Sequence, residues 1–322
     1  MARLRSKKNT GLACGMKGDF FHYSKVLGSK ADLPEPVTVH EGNGPVIFSG
    51  PHNGLAVFGD REKPLGMERA WFAAAHEASD LHMATLFESM IPRFSQASFV
   101  WSNYSRLVAD VNRMPELAIA ETSSEWDDFP IHGNASHIVT PEEREGRMQS
   151  VYWPYHNALS DLVKKKKEEF GAVLLIDMHS FTPSWQGRAR ESEVGMLTLD
   201  EGHPLAQASC EFLSEKSGMR YISRLPYFLP ERVAISAAQL VEKNTGLPYF
   251  GFEIRNDTIA GESGRERFCA MLENYLTFVE NSPRRDLIFS ESIPGLNAMN
   301  RSTERAQEPG GLSGTDPEPF PA

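Results

Sequence analysis

Apolar residues in this chain fall into short runs separated by longer amphipathic stretches. The runs at 46–49, 98–101, 173–178, 194–199 and 249–254 are nearly unbroken, which predicts strands buried on both faces rather than strands with one wet face. A further strand is expected at 106–111. Helical spacing predicts helices at 67–90 (one or two), 141–170, 205–216, 234–242 and 264–279. The start at 141 is well marked. Thr140 can cap it, Pro141 suits the first turn, Glu142 and Glu143 favour the positive end of the helix dipole, and Lys164–Lys167 lie near the opposite end. Strands alternating with helices imply a three-layer α/β sandwich around a mixed, mostly parallel sheet. One domain is expected over 21–292. Residues 1–20 are expected to be a flexible basic lead-in. Residues 293–322, rich in Gly, Pro, Ser and Glu, are expected to be a disordered tail.

Polar residues appear where the apolar runs end. Val173-Leu174-Leu175-Ile176 leads into Asp177-Met178-His179-Ser180-Phe181, Val46-Ile47-Phe48 leads into Pro51-His52-Asn53-Gly54, and Glu253 lies in Phe250-Gly251-Phe252-Glu253-Ile254-Arg255. In open α/β sheets ligands bind outside the carboxyl ends of the strands. Two histidines and a glutamate delivered there meet the needs of a zinc hydrolase, with ligands plus a general base. Asp177 leaves its strand on the same face as His179, so it is a candidate orienter or ligand. A third ligand is sought in His76-Glu77-Ala78-Ser79-Asp80, where His76 and Asp80 would share a helical face. Glu253 is either a base whose pKa is raised by burial or half of an ion pair with Arg255.

Arg106, Asp110, Asn112 and Arg113 lie close together in Ser105-Arg106-Leu107-Val108-Ala109-Asp110-Val111-Asn112-Arg113. Arginine forks grip carboxylates, so this group suits an amino-acid carboxylate, or else forms a structural Arg–Asp pair. Arg188 and Arg190 follow His179 in a loop and could meet a second substrate anion or simply face solvent. No phosphate-binding glycine loop, Gly-x-Ser-x-Gly elbow or dinucleotide fingerprint is present.

Composition narrows the function classes. A formal net charge of -10 over 322 residues argues against nucleic acid and anionic membrane surfaces as partners. The 3 cysteines have no paired spacing, and no apolar stretch has the length of a signal peptide or a spanning helix. A cytoplasmic setting is expected.

These residues carry a resemblance. Pro51-His52-Asn53-Gly54, the stretch 76–90 with Asp80-Leu81, the 105–113 segment, Pro141-Glu142-Glu143-Arg144, Tyr155-His156, His179-Ser180-Phe181-Thr182-Pro183 and Glu253-Ile254-Arg255-Asn256-Asp257 are similar, in that order, to the N-formylglutamate amidohydrolases. That family is a branch of the zinc carboxypeptidase-like hydrolases. The resemblance implies a phosphorylase/hydrolase-like sheet, one zinc ion, and hydrolysis of a small-molecule N-acyl amino acid, formate and glutamate being the products in the name-giving case. It implies His52 and His179 as zinc ligands, Glu253 as the base, Asn112 and Arg113 as holders of the substrate α-carboxylate, and Arg106 as oxyanion stabiliser. The carboxypeptidase His-x-x-Glu spacing is missing, since Leu55 stands three residues after His52; Asp80, in the family's helix, is the expected third ligand. Arg188 and Arg255 are candidates for a side-chain carboxylate.

Overall fold

Eight consecutive residues of the strand Leu174–Phe181 are buried, and so are all but the last of Phe250–Arg255. Such strands need cover on both faces, and the architecture supplies it. The computed structural model describes residues 34–57, 80–119, 122–123, 129–130, 139–185, 188–198, 201–222, 240–241, 243–283 and 288. Its strands are β1 (Val37–His40), β2 (Val46–Gly50), β3 (Ser98–Ser102), β4 (Thr122–Ser123), β5 (Phe129–Pro130), β6 (Leu174–Phe181), β7 (Ser184–Trp185), β8 (Arg188–Ala189), β9 (Val194–Thr198) and β10 (Phe250–Arg255). A six-stranded sheet has the order β1-β3-β2-β6-β10-β9, and β4-β5 and β7-β8 are two small ribbons. The four central strands are parallel, while β1 and β9 run antiparallel at the edges. The sheet is thus mixed and mostly parallel, as the pattern predicts.

The helices are α1 (Met83–Arg93), α2 (Pro141–Arg147), α3 (Trp153–Phe170), α4 (Pro204–Glu215), α5 (Asn256–Ile259) and α6 (Glu262–Glu280). Alternate residues of each strand feed opposite layers. Ile47 and Leu175 join Tyr152, Tyr155, Leu159 and Leu162 on one face, where α3 packs. Phe48, Ile176, Phe250 and Phe252 meet Phe87, Phe212, Phe268 and Tyr275 on the other, under α1, α4 and α6. Each fully buried apolar side chain of this size stabilises the fold by roughly 1.5–3 kcal/mol.

Thr140 caps α2 as its sequence predicts, its hydroxyl accepting from the Glu143 N–H at 3.2 Å. The expected helix 141–170 is continuous except for a π-helical turn at Met148–Tyr152. Pro154 has no N–H to donate one turn back, and a wider turn absorbs that lost bond. Gly171, at φ 75°, ends α3.

One expected strand is absent. Residues 106–111 form turns joined by irregular backbone, not a strand. Ser105 Oγ accepts from the Leu107 N–H and Asp110 Oδ1 from the Asn112 N–H, so short polar side chains hold the backbone that a ladder would otherwise use. Of the one or two helices expected over 67–90, the described residues show α1, which begins at Met83. His82 just before it is left-handed, with φ 69° and ψ 0°, a conformation that breaks a helix. Asp80 therefore sits in a turn and not on a helical face. Residues 58–79, with His76 and Glu77, lie outside the described residues, as do the lead-in, the tail, most of 234–242 and much of 116–128, an acidic stretch that the sequence leaves open as a lid or a solvated loop. Strand β1 is an unexpected addition.

Candidate active site

Neighbouring strands β2, β6 and β10 deliver the polar residues. Strand β2 departs toward β3, and β6 toward β10, so the β2–β6 boundary is the switch point at which an open sheet leaves a crevice. Register then sets the rows. Ser49 lies opposite Asp177, and His179 opposite Glu253. Register also sets position 251 opposite Asp177, and glycine suits it because a Cβ there would come within 2.8 Å of the Asp177 carbonyl oxygen. His52 follows β2 in a turn.

The two imidazoles share one carboxylate. His179 Nδ1 is 2.8 Å from Asp80 Oδ2, and His52 Nδ1 is 3.4 Å from Asp80 Oδ1. Each ring is backed on its far side by another acid, His52 Nε2 at 2.7 Å from Asp110 Oδ1 and His179 Nε2 at 2.9 Å from Asp177 Oδ2. Asp110 is gripped by Arg106, whose Nε and Nη2 donate to its Oδ2 at 3.1 and 2.7 Å, and Arg113 Nε lies 3.6 Å from the same oxygen. Asp177 is held by the hydroxyls of Ser49 at 2.6 Å and Tyr249 at 3.4 Å. The Asn112 amide lies 3.2 Å from His179 Nε2.

Charge is unevenly balanced here. Burial pushes Asp80 up, but His52 and His179 outweigh it and hold the carboxyl below the usual range. Asp110 is likewise raised by burial and driven well below its usual value by Arg106, His52 and Arg113. Burial lowers His179, yet Asp177 and Asp80 raise it well above an ordinary histidine. Glu253 goes the other way. Burial, reinforced by the charge of Asp80, pushes it up to about 8 against the pull of His179, Arg190 and Arg106. It makes no ion pair with Arg255, whose Nε donates to Asp257 and whose Nη1 donates to the carbonyls of Arg190 and Glu191.

The residues fit a metal ion. Among the described residues, His52, Asp80 and His179 each offer a ligand atom, all within 4.8 Å of one another, and all three residues are buried. His52 Nδ1 and Glu253 Oε2 are buried without a hydrogen-bond partner, which is costly unless something else meets them. Two imidazoles and a carboxylate, with a carboxylate behind each ring, are a donor set suited to zinc.

A model of the N-formylglutamate amidohydrolase family matches residues 44–260, which takes in every one of these side chains. The chain belongs to this family. It is similar to N-formylglutamate deformylases of Pseudomonas putida and Pseudomonas aeruginosa, at 28% identity over 166 and 159 residues. Those matches take in 46% of this chain and 56% of each relative, so the chain spans about half the length of the curated relatives it matches. Among solved structures, the gene product Atu2144 from Agrobacterium tumefaciens superposes with a TM-score of 0.64 at 27% identity, over 77% of this chain and 97% of that one. The N-formylglutamate amidohydrolase from Ralstonia eutropha JMP134 shares the fold, with a TM-score of 0.53 at 19% identity over 77% and 100%.

Of the residues singled out from sequence in this member of the amidohydrolase family, His52, Asp80, Asn112, His179 and Glu253 converge, with Arg106 and Arg113 attached through Asp110. Arg188 stands exposed on the β7–β8 ribbon. Arg255 serves the loop that carries Arg190. Tyr249, Ser49 and Ser180 were not singled out as site residues. Tyr249 precedes an apolar strand, and only the strand pairing brings it and Ser49 to Asp177.

Proposed function

We propose that this protein is a zinc-dependent amidohydrolase that cleaves an N-acyl amino acid, with N-formyl-L-glutamate, hydrolysed to formate and L-glutamate, as its substrate. One observation carries the reading, the convergence of His52, Asp80 and His179 beside Glu253, whose Oε2 is buried without a hydrogen-bond partner. His52 Nδ1, an Asp80 oxygen and His179 Nδ1 would hold the ion. Zinc, when bound, supplies a Lewis acid for the acyl oxygen and brings water toward a pKa of ~7. Asp110 and Asp177 keep each imidazole's Nδ1 turned inward by accepting from its Nε2.

Glu253 accepts the proton of the attacking water as the oxygen bonds to the acyl carbon. It then passes that proton to the amine nitrogen as the C–N bond breaks. Positive charge at the ligand cluster favours the ionised form that this base needs. Asn112 and Arg113 hold the α-carboxylate. Arg106 fixes Asp110 and adds positive charge near the developing oxyanion. For the substrate's side-chain carboxylate, Arg190 is better placed than Arg188 or Arg255, since its charge already reaches Glu253 and its guanidinium lies over the Phe181 ring. A cytoplasmic location remains part of the proposal; no helix among the described residues is long and apolar enough to cross a membrane.

The test is zinc content of the purified protein together with formate release from N-formyl-L-glutamate, alongside His179→Ala. One zinc per chain and formate release, both lost in the variant, are expected. Zinc without formate would move the substrate to another N-acyl amino acid, and a wild-type protein that takes up no zinc would overturn the proposal.

A further inference from the structure

Asp80 reaches the two imidazoles from a turn, and turns need something to hold them. Ser180, the residue after His179 on β6, is 5% exposed. Its backbone N–H donates to Asp80 Oδ2 at 3.2 Å, the same oxygen that faces His179 Nδ1. Its hydroxyl, on the strand face opposite His179, donates to the Leu81 carbonyl at 2.9 Å. The next residue is His82 with its left-handed backbone, and no side chain caps α1 there. A non-glycine residue keeps that conformation only when its surroundings impose it.

We infer that Ser180 is a positioning residue for the third metal ligand, latching the Asp80–His82 turn onto β6 so that the carboxylate stands between the two imidazoles. The inference rests on the zinc reading above. One atom of Ser180 fixes the carboxylate and another fixes the backbone one residue on, so the carboxylate can neither swing nor withdraw. Since His179 is the adjacent residue, the same stretch of strand sets the spacing of two of the three ligands. This arrangement does the work that a His-x-x-Glu spacing performs when both ligands lie on one local segment.

The experiment uses the full chain stripped of metal and titrated with zinc against a chromophoric chelator, with the melting temperature of the metal-free protein measured in parallel. Ser180→Ala keeps the backbone N–H and loses the latch. Zinc affinity is expected to fall about tenfold to a hundredfold, the range for residues that orient metal ligands. The metal-free melting temperature should shift by no more than about 4 °C, as for one hydrogen bond in a chain of this size. Ser180→Thr, which retains the hydroxyl, should restore affinity to within about threefold of wild type. Affinity unchanged in Ser180→Ala, or not restored by threonine, overturns the assignment. If Ser180→Ala fails to fold, the near-isosteric weak donor Ser180→Cys takes its place, and unchanged affinity there overturns it equally. A wild-type protein that binds no zinc removes the zinc reading and this inference together, whereas a zinc-binding wild type with an indifferent Ser180→Ala removes this inference alone.

Discussion

Glu253 is the residue whose environment most narrows its role. A buried carboxyl with one oxygen unpartnered and a pKa near 8 is held ready to exchange a proton. Glu253→Gln keeps the shape and removes the proposed base. Turnover of N-formyl-L-glutamate should fall by about 10²- to 10⁴-fold, while zinc content stays at the wild-type level; undiminished formate release, or loss of zinc, would count against the assignment. At this scale the sequence was legible where chemistry sits next to an apolar run. His52, His179 and Glu253 stand out because polar groups at the ends of buried strands demand a reason. Asp80 could be singled out but not placed, since apolar spacing runs through 67–90 without a mark at His82. Nothing in local spacing joins Asp110 to His52, because that contact crosses from one loop to another 58 residues on.

The elements form for reasons visible in their residues, and they hold the site by packing. Strand β10 carries Glu253 between Phe252 and Ile254, both fully buried against the layer of α6. Phe252→Ala leaves a cavity beneath the site and should destabilise the protein by about 3–5 kcal/mol in urea unfolding; a change under about 1 kcal/mol would mean that this layer does not support β10. The six-stranded order was only half legible. Burial on both faces announces parallel central strands, but strand order depends on contacts distant in sequence. Edge strand β1, with its exposed His40 and half-exposed Val39, lacks the unbroken apolar run that marks the others. The 106–111 segment deceived for the opposite reason, since a run of branched residues there is overruled by two side-chain-to-backbone turns.

For the molecule as a whole, the site makes metal-free stability depend on pH with a sign that can be worked out. Glu253 has a folded pKa near 8 against 4.5 unfolded, so the folded state keeps a proton that the unfolded chain has released, and stability falls as pH rises through that window. His179, raised above 6.5, acts in the same direction at the upper end. Asp80 and Asp110, lowered below 3.8, contribute stability that is lost as the solution becomes strongly acidic. The metal-free protein should therefore be most stable in mild acid. Between about pH 5 and about pH 8 its urea midpoint should decline, and Glu253→Gln should flatten that decline; parallel curves for the two proteins would exclude Glu253 as its source.

The row Ser49, Asp177, Gly251 runs straight across β2, β6 and β10, and its consequence concerns how such a chain can change length. Side chains on a strand alternate between faces, so one residue inserted into β6 ahead of Asp177 would turn both Asp177 and His179 toward the opposite helical layer and bring apolar neighbours into the crevice. The β7–β8 ribbon, with Arg188 and Ala189 in solvent, bears no such constraint. Sequences that keep this arrangement are therefore free to drift in loop length around the sheet, and held to a fixed count of residues within β2, β6 and β10.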